Sequence, residues 1–389
     1  MLAACPYPSW QGTQVFIRHL ATALQRRGHA VDVACFGGAA PGLPWPSSTF
    51  AARHPDVGLR SGPRSRRLLA NLALWRLANR LLTARHWQLI HAHGLEALSL
   101  ALALGRRHGL PVLYQAHSAM DEELPTYFAS GWAKRLAAIS GAALEAALPR
   151  RADRVLVFNP EHAQILQRRG VQPGRLQILP VGLDAAELRP PPGELAAQAR
   201  RRLAARLGPG PRVLYAGNPD GYQNLGLLWA AFAVLRQRLP AAQLLIGSPH
   251  PAAAFASSLA GAPSRVGIRF VPCRDLDTLR SLLHLADLGV CTRTLRSGAP
   301  IKVLNYLAAG LPVVACCTGA HHFVGAHQID LVEAQPTAMA AAMFDAIGAG
   351  KPRQAAGQYD LGKLDIQNQL SQYERAFAEC SQSWRAAAA

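Results

Sequence analysis

The sequence predicts an α/β protein of two doubly wound, Rossmann-like domains facing a central cleft, and three observations carry that expectation. Short β-branched runs alternate with longer helical patterns in both halves of the chain. A break rich in proline and glycine, Pro190-Pro191-Pro192 and then Gly208-Pro209-Gly210-Pro211, separates the two series. The 389 residues, half of them hydrophobic, exceed what one core normally holds.

In the first half, strands are read at Leu2–Cys5, Val31–Cys35, Leu89–His91, Val112–Tyr114, Val155–Phe158 and Gln177–Leu179. Between the first two runs a helix, Thr13–Arg27, with Phe16, Leu20 and Leu24 on one face and Gly28 as its stop. After the break come strand Val213–Ala216, helix Leu225–Arg238, strands Gln243–Ile246 and Ile268–Val271, and helix Leu276–Ala286. Strand Leu288–Cys291, helix Ile301–Ala309, strand Val313–Ala315 and helix Thr337–Ile347 complete the series. The expected domains are 1–183, 184–365 and a C-terminal amphipathic helix within 366–389 that packs back toward the first domain. Sheets of this kind bind ligands at the C-terminal ends of their strands.

Composition narrows the classes. The 33 glycines and 28 prolines are spread without a period, which suits many short connections rather than disorder or a solenoid. Seven cysteines (Cys5, Cys35, Cys273, Cys291, Cys316, Cys317 and Cys380) show no CxxC spacing and read as small hydrophobes in a reduced setting. No basic leader precedes an apolar run, and the longest apolar run, Leu95–Gly105, is too short to span a bilayer, so a cytoplasmic location is expected. The net charge of +18 is concentrated: seven arginines and no acid lie between Val57 and His86, with Leu68, Leu72, Trp75 and Leu82 at helical spacing. The basic helix 60–85 reads equally as a peripheral contact with the inner membrane face or as a core-facing helix with a solvated basic side. No nucleic-acid-binding motif accompanies the charge, so nucleic acid is not an expected partner.

Two segments suit an anionic ligand. The loop Pro6–Thr13 places Gly12 and Thr13 at a helix start, where unpaired N–H groups and the helix dipole favour phosphate, although a plain strand-to-helix turn has the same sequence. The segment Ser297–Val314 is more informative. Ser297-Gly298 and then Pro300 describe a helix N-terminus at Ile301, Lys302 adds a point charge, and Asn305 lies about one turn on. Asp275, in an Asp-x-Asp sequence, reads as a helix N-cap and not as a metal ligand. His91 and His93 share one side of a strand with no third metal ligand at useful spacing. Asp121, Glu122 and Glu123 read either as acceptor contacts or as a solvated loop.

Ser297–Val314 resembles the donor-site motif of family 4 glycosyltransferases, retaining enzymes of the GT-B fold, in a variant reading Pro-x-Lys-x-x-Asn-Tyr. The Pro-Tyr-Pro…Gly-Thr opening, Ile90-His91-Ala92-His93, Val181-Gly182-Leu183-Asp184 and Tyr215-Ala216-Gly217-Asn218 resemble the same family in the expected order, over roughly residues 1 to 345. The resemblance implies transfer of a sugar from a nucleoside diphosphate sugar to a glycan or lipid-linked acceptor hydroxyl, with no cofactor and no metal. It gives His117 a catalytic place beside the transferred sugar. It gives substrate binding to Gly12, Thr13, Asn218, Gln223, Ser297, Gly298, Ile301, Lys302 and Asn305. The chain departs from the family in carrying Ser297 and Asn305 where two glutamates are usual. It also lacks the usual Arg and Lys within Asn218–Gln223, a loss that Lys302 would offset. A nucleotide-sugar epimerase or hydrolase of the same fold, or an inactive nucleotide-sugar-binding scaffold, are the alternatives.

Overall fold

The computed structural model describes residues 1–7, 9, 11–37, 48–52, 62–63, 66–189, 193–316, 329–348 and 365–388. Pro8, Trp10, Val57, Pro190–Pro192 and Cys317, named above, lie outside the described residues, as do positions 60, 61, 64 and 65 of the basic helix 60–85. The chain divides into two compact units. The first comprises Met1–Leu183, Arg296–Ala299 and Leu364–Ala389, and the second Asp184–Leu295 and Pro300–Lys363.

The first unit opens with β1 (Leu2–Tyr7), α1 (Gly12–Arg26), β2 (Val33–Gly37), β3 (Thr49–Ala52), α2 (Arg66–Ala84), β4 (Ile90–His93), α3 (Leu95–His108) and β5 (Val112–Gln115). It continues with the short α4 (Met120–Glu123), α5 (Gly131–Ala147), β6 (Arg154–Val157), α6 (Pro160–Arg168) and β7 (Leu176–Ile178). The strands pair in parallel in the order β3-β2-β1-β4-β5-β6-β7. Every residue of β4 and β5 is buried, as expected of strands covered on both faces. Leu98, Ala101 and Leu104 of α3 close one face against Leu2, Val112 and Val155.

The second unit carries α7 (Glu194–Leu207), β8 (Arg212–Ala216), α8 (Leu225–Arg238), β9 (Gln243–Ser248), α9 (Ala256–Leu259) and β10 (Ile268–Pro272). Then follow α10 (Leu276–Leu285), β11 (Leu288–Cys291), α11 (Ile301–Ala308), β12 (Val313–Ala315), β13 (Ile329–Leu331) and α12 (Pro336–Gly348). Its parallel order is β10-β9-β8-β11-β12-β13. Trp229 and Phe232 of α8 pack with Val213, Leu244, Ile246, Met339 and Met343 in its core. In both sheets the strand order reverses beside the first strand, at β1/β4 and at β8/β11, which is where doubly wound sheets leave a ligand crevice.

The last helix, α13 (Ile366–Ala388), belongs to the first unit. Leu370, Tyr373 and Cys380 are buried, Arg27 and Glu374 pair at 3.0 Å, and Arg154 pairs with Glu379. Ile366 N–H donates to the Leu183 carbonyl at 3.1 Å. A Cβ on Gly182 would come within 2.6 Å of Ile366, so this crossing requires glycine for space.

Several expectations need correction. Strands β3 and β13 and helices α5 and α6 are additions to the sequence reading. Helix α11 begins at Ile301 as read, with Pro300 as its N-cap. On α2 the buried stripe is Ala70, Leu74 and Ala78, whereas Leu68 and Leu72 point outward. Trp75 and Leu82 are half-buried against the core. The small residues win because α2 lies close to the sheet and α3, where alanine lets backbones approach.

Candidate functional site

In the second unit, the residues expected to bind donor meet at the β8/β11 reversal. The Tyr215 hydroxyl, at the end of β8, donates to the Asn218 carbonyl at 2.7 Å. The Asn218 amide donates to Asp220 at 2.7 Å, and Asn218 Oδ1 accepts from Gln223 at 3.0 Å. Gln223 Oε1 then accepts from Lys302 Nζ at 2.7 Å. The Thr292 hydroxyl, just after β11, donates to the Gln223 carbonyl at 2.7 Å. The same ammonium lies 3.9 Å from the centre of the Tyr215 ring, a cation–π distance. Lys302 is thus aimed by a neutral amide and an aromatic face, neither of which cancels its charge.

Lys302 is also on the first turn of α11. No side chain caps that helix, whose first N–H groups and positive dipole end therefore add to the ammonium. Ile301 opens the helix and half-buried Asn305 follows one turn later. Tyr306 fastens the helix in place: its hydroxyl accepts from Ala216 N–H at 2.8 Å, and its burial pushes the phenol well above its ordinary range. Gly217 leaves room for the lysine, since a Cβ there would lie 3.0 Å from Nζ.

In the first unit, Gly12 opens α1 on an exposed turn with Thr13 next to it, and no side chain caps the helix. Phe16, one turn on, stands edge-on to His93 and His117, with ring centres 6.1 and 5.7 Å away. His93 ends β4 and His117 follows β5. His93 Nδ1 and His117 Nε2 are 3.3 Å apart, so one ring donates and the other accepts. The His91 and His93 rings stack at 4.2 Å, confirming that they share a side. Burial among these rings, with the charge of neighbouring His162 second, lowers His117 to about 3. Burial also lowers His91 and His93 well below the usual imidazole range. His117 is therefore a neutral ring at pH 7, able to donate or accept one hydrogen bond but not to act as a cation.

Ser297 and Gly298 belong to this unit and not with Lys302. Ser297 is 1% exposed; its hydroxyl donates to Glu122 at 2.8 Å and accepts from Ala119 N–H at 2.7 Å, and its own N–H donates to Glu122 at 3.0 Å. Arg296 donates to the other Glu122 oxygen at 3.0 Å, and Asn159 donates to the Gly298 carbonyl at 2.8 Å. Burial alone would raise the Glu122 carboxyl, but the bonds from Ser297 and Arg296 outweigh it and hold it below its ordinary value. Gly298 has φ +73°, a left-handed conformation that favours glycine.

The acidic cluster is a short helix rather than a solvated loop, and its three residues are half-buried and engaged. Asp121 pairs with Arg169, Glu122 holds Ser297 and Arg296, and Glu123 accepts from Ser118 and from Tyr127. Asp275 caps α10, accepting from Thr278 N–H at 2.7 Å, as its sequence position implies. Among the described residues no group of three or more His, Cys, Asp or Glu side chains could hold a metal ion. Among those residues no helix is long and apolar enough to cross a membrane. A cavity of about 590 Å³ opens at the opposite, N-terminal strand edge of the first sheet, lined by residues including Asp32, His91 and Glu374. Its inner wall is His91, whose ring separates it from His93 and His117. The contributions of Tyr215, Thr292 and Glu122 escape sequence reading, because only their partners' positions reveal them.

Residues 10–187 match the sequence family described as Glycosyltransferase Family 4, and residues 210–348 match Glycosyl transferases group 1. D-inositol 3-phosphate glycosyltransferase of Salinispora arenicola is 27% identical over 253 residues, which is 61% of this chain and 55% of that protein. The chain spans about half the length of the first curated relatives it matches. Sucrose-phosphate synthase from Thermosynechococcus elongatus superposes with a TM-score of 0.77 at 20% identity, covering 97% of this chain and 98% of that one. Anabaena HepE in complex with UDP-glucose gives 0.71 at 14% identity, covering 96% and 99%. These likenesses establish the GT-B type of fold.

Proposed function

We propose that this chain, whose two halves belong to the family 4 and group 1 glycosyltransferase families, moves a sugar from a nucleoside diphosphate sugar to an acceptor hydroxyl with retention of anomeric configuration. One observation carries the reading: Lys302, aimed by Gln223 and Tyr215 at an uncapped helix start beside the β8/β11 reversal. That arrangement suits a diphosphate, whose oxygens take N–H bonds and a point charge together. Asn305, one turn along, offers a ribose both donor and acceptor groups. Asn218 is committed to Asp220 and Gln223 and acts by holding Gln223 in place.

In the reaction, the bond from the sugar's anomeric carbon to the diphosphate breaks as the acceptor oxygen bonds to that carbon on the same face. The acceptor proton passes to the leaving phosphate. Negative charge grows on the diphosphate, and Lys302 with the α11 N-terminus stabilises it more in the transition state than in the ground state. Neutral His117 supplies a hydrogen bond to the transferred sugar, and Gly12 and Thr13 offer the α1 N-terminus. The positive groups are the protein's own, so chelation of divalent ions should leave the reaction intact. HepE, of like fold, was solved with UDP-glucose, and a bacterial relative acts on an inositol phosphate. A glycan or lipid-linked acceptor at the inner membrane face is the class proposed here.

The test is a thermal-shift screen with UDP-, GDP- and ADP-sugars, because a ligand held by the native state must stabilise it. A shift with one base is expected, and no shift with any would sink the proposal. One observation favours a second reading. With Ser297 committed to Glu122 and Ala119, no carboxylate stands at that position to contact the donor sugar, as an inactive nucleotide-sugar-binding scaffold would allow. Binding without turnover or hydrolysis on any acceptor would select it.

A further inference from the structure

Two helices of the first unit turn large apolar side chains outward. On α2, Leu68 is 76% exposed with Leu69 and Leu72 exposed beside it; on α5, Trp132, Leu136 and Ile139 are 75%, 56% and 60% exposed. Positions 132, 136 and 139 recur at i, i+4 and i+7 and so form one stripe along the helix. The starts of the two helices are neighbours. Arg67 donates to the Gly62 carbonyl at 3.1 Å, Gly62 lies against the Tyr127 ring, and Tyr127 closes the 3-10 turn that packs on α5.

Among the described residues, the exposed charged side chains on these two helices are all basic. Arg66, Arg76 and Arg80 of α2 are exposed, as are Lys134 and Arg135 beside the α5 stripe. Helix α2 carries no acid, and the one acid of α5, Glu145, is buried, bonded to Arg169 and to Met120 N–H. The acids that precede α5 are engaged as well: Asp121 with Arg169, Glu122 with Arg296, Glu123 with Tyr127. An indole, branched aliphatics and exposed bases on these two helices match the boundary of an anionic bilayer, where the ring lies at headgroup level and the bases meet lipid phosphates.

We propose that this face docks on an anionic membrane surface, with α5 as the element that enters the headgroup layer and the α2 arginines as its electrostatic support. This deepens the membrane-facing acceptor reading by assigning the contact to Trp132, Leu136 and Ile139. It needs no donor, and so stands or falls apart from the transferase chemistry.

The experiment is co-sedimentation of the full chain with vesicles of phosphatidylcholine alone or mixed with phosphatidylglycerol. The chain should sediment with the mixed vesicles only, and less at high salt. W132S/L136S/I139S should weaken that binding by at least about tenfold, because it removes the inserted stripe. R66Q/R76Q/R80Q should weaken it by about fivefold for each charge that reaches the surface. The exposed substitutions should keep the wild-type melting curve and its shift with nucleotide sugar, which separates lost docking from lost folding or lost donor binding. Failure of the wild type to sediment, or equal binding by the α5 variant, overturns the proposal. So does a wild-type dimer that the α5 variant turns into a monomer, since a second copy would then cover this face.

Discussion

The surroundings of His117 and of Lys302 are built on opposite principles. His117 lies among Phe16, Phe158 and the His93 ring, and burial in that aromatic setting keeps His117 neutral. Lys302 lies among amides and a phenol, which orient its charge without cancelling it. Lys302 is on the helix that follows β11, beside the first strand β8, whereas His117 follows β5, one strand beyond the β1/β4 reversal. One setting is dry and holds a neutral imidazole; the other holds an oriented ammonium in a polar network that also contains the buried Asp220.

The largest effect that would break this contrast is on Lys302. Lys302→Met keeps the stem but removes the charge, and should lower kcat/KM for the nucleotide sugar by about 10³-fold. His117→Ala should cost about 10²-fold in kcat with little change in donor affinity, as fits a bond that matters in the transition state. A loss confined to KM would place His117 in ground-state binding instead.

Structure around the lysine sets the next effect. A Cβ on Gly289 would fall 2.4 Å from the Tyr306 ring, which is fully buried and anchored to Ala216. Gly289→Ala should destabilise the fold by about 1–3 kcal/mol in urea unfolding, as overpacking does. Tyr306→Phe should cost about 1 kcal/mol by leaving the Ala216 N–H without its bond. Equal stability of both variants would mean that α11 is not held through this ring.

The smallest effect is one of pH. His117 is lowered from 6.5 to about 3 in the fold. Below 6.5 the unfolded chain takes up a proton that the folded ring refuses, so stability falls as pH drops from about 6.5 toward 3. His91 and His93, lowered in the same direction, add to the slope. The denaturation midpoint should therefore decline over this window, and less so in His117→Phe. A midpoint independent of pH there would show that the ring is not buried neutral.

Much of the fold was legible because long strand–helix repeats leave strong periodic signals. β3 and β13 were not, since three or four residues at a sheet edge give too little alternation to read. Helix α5 hid because its largest residues, Trp132 and Ile139, face outward while Ala137 and Gly141 make the close packing. For the site, Lys302 and its helix start followed from Pro300 and local spacing. The partner of Ser297 did not: Glu122 is 175 positions away, a distance across which no local pattern reports. The buried, neutral state of His117 likewise depends on Phe16 and Phe158, which only the fold brings beside it.

The central claim, that the diphosphate is gripped at Lys302 and the start of α11, is tested most directly by calorimetric titration of UDP and the other nucleoside diphosphates into three proteins. The wild type and His117→Ala should bind the preferred one alike, whereas Lys302→Met should bind it about 10²-fold more weakly. Wild-type affinity in Lys302→Met, or an equal loss in His117→Ala, would contradict the account.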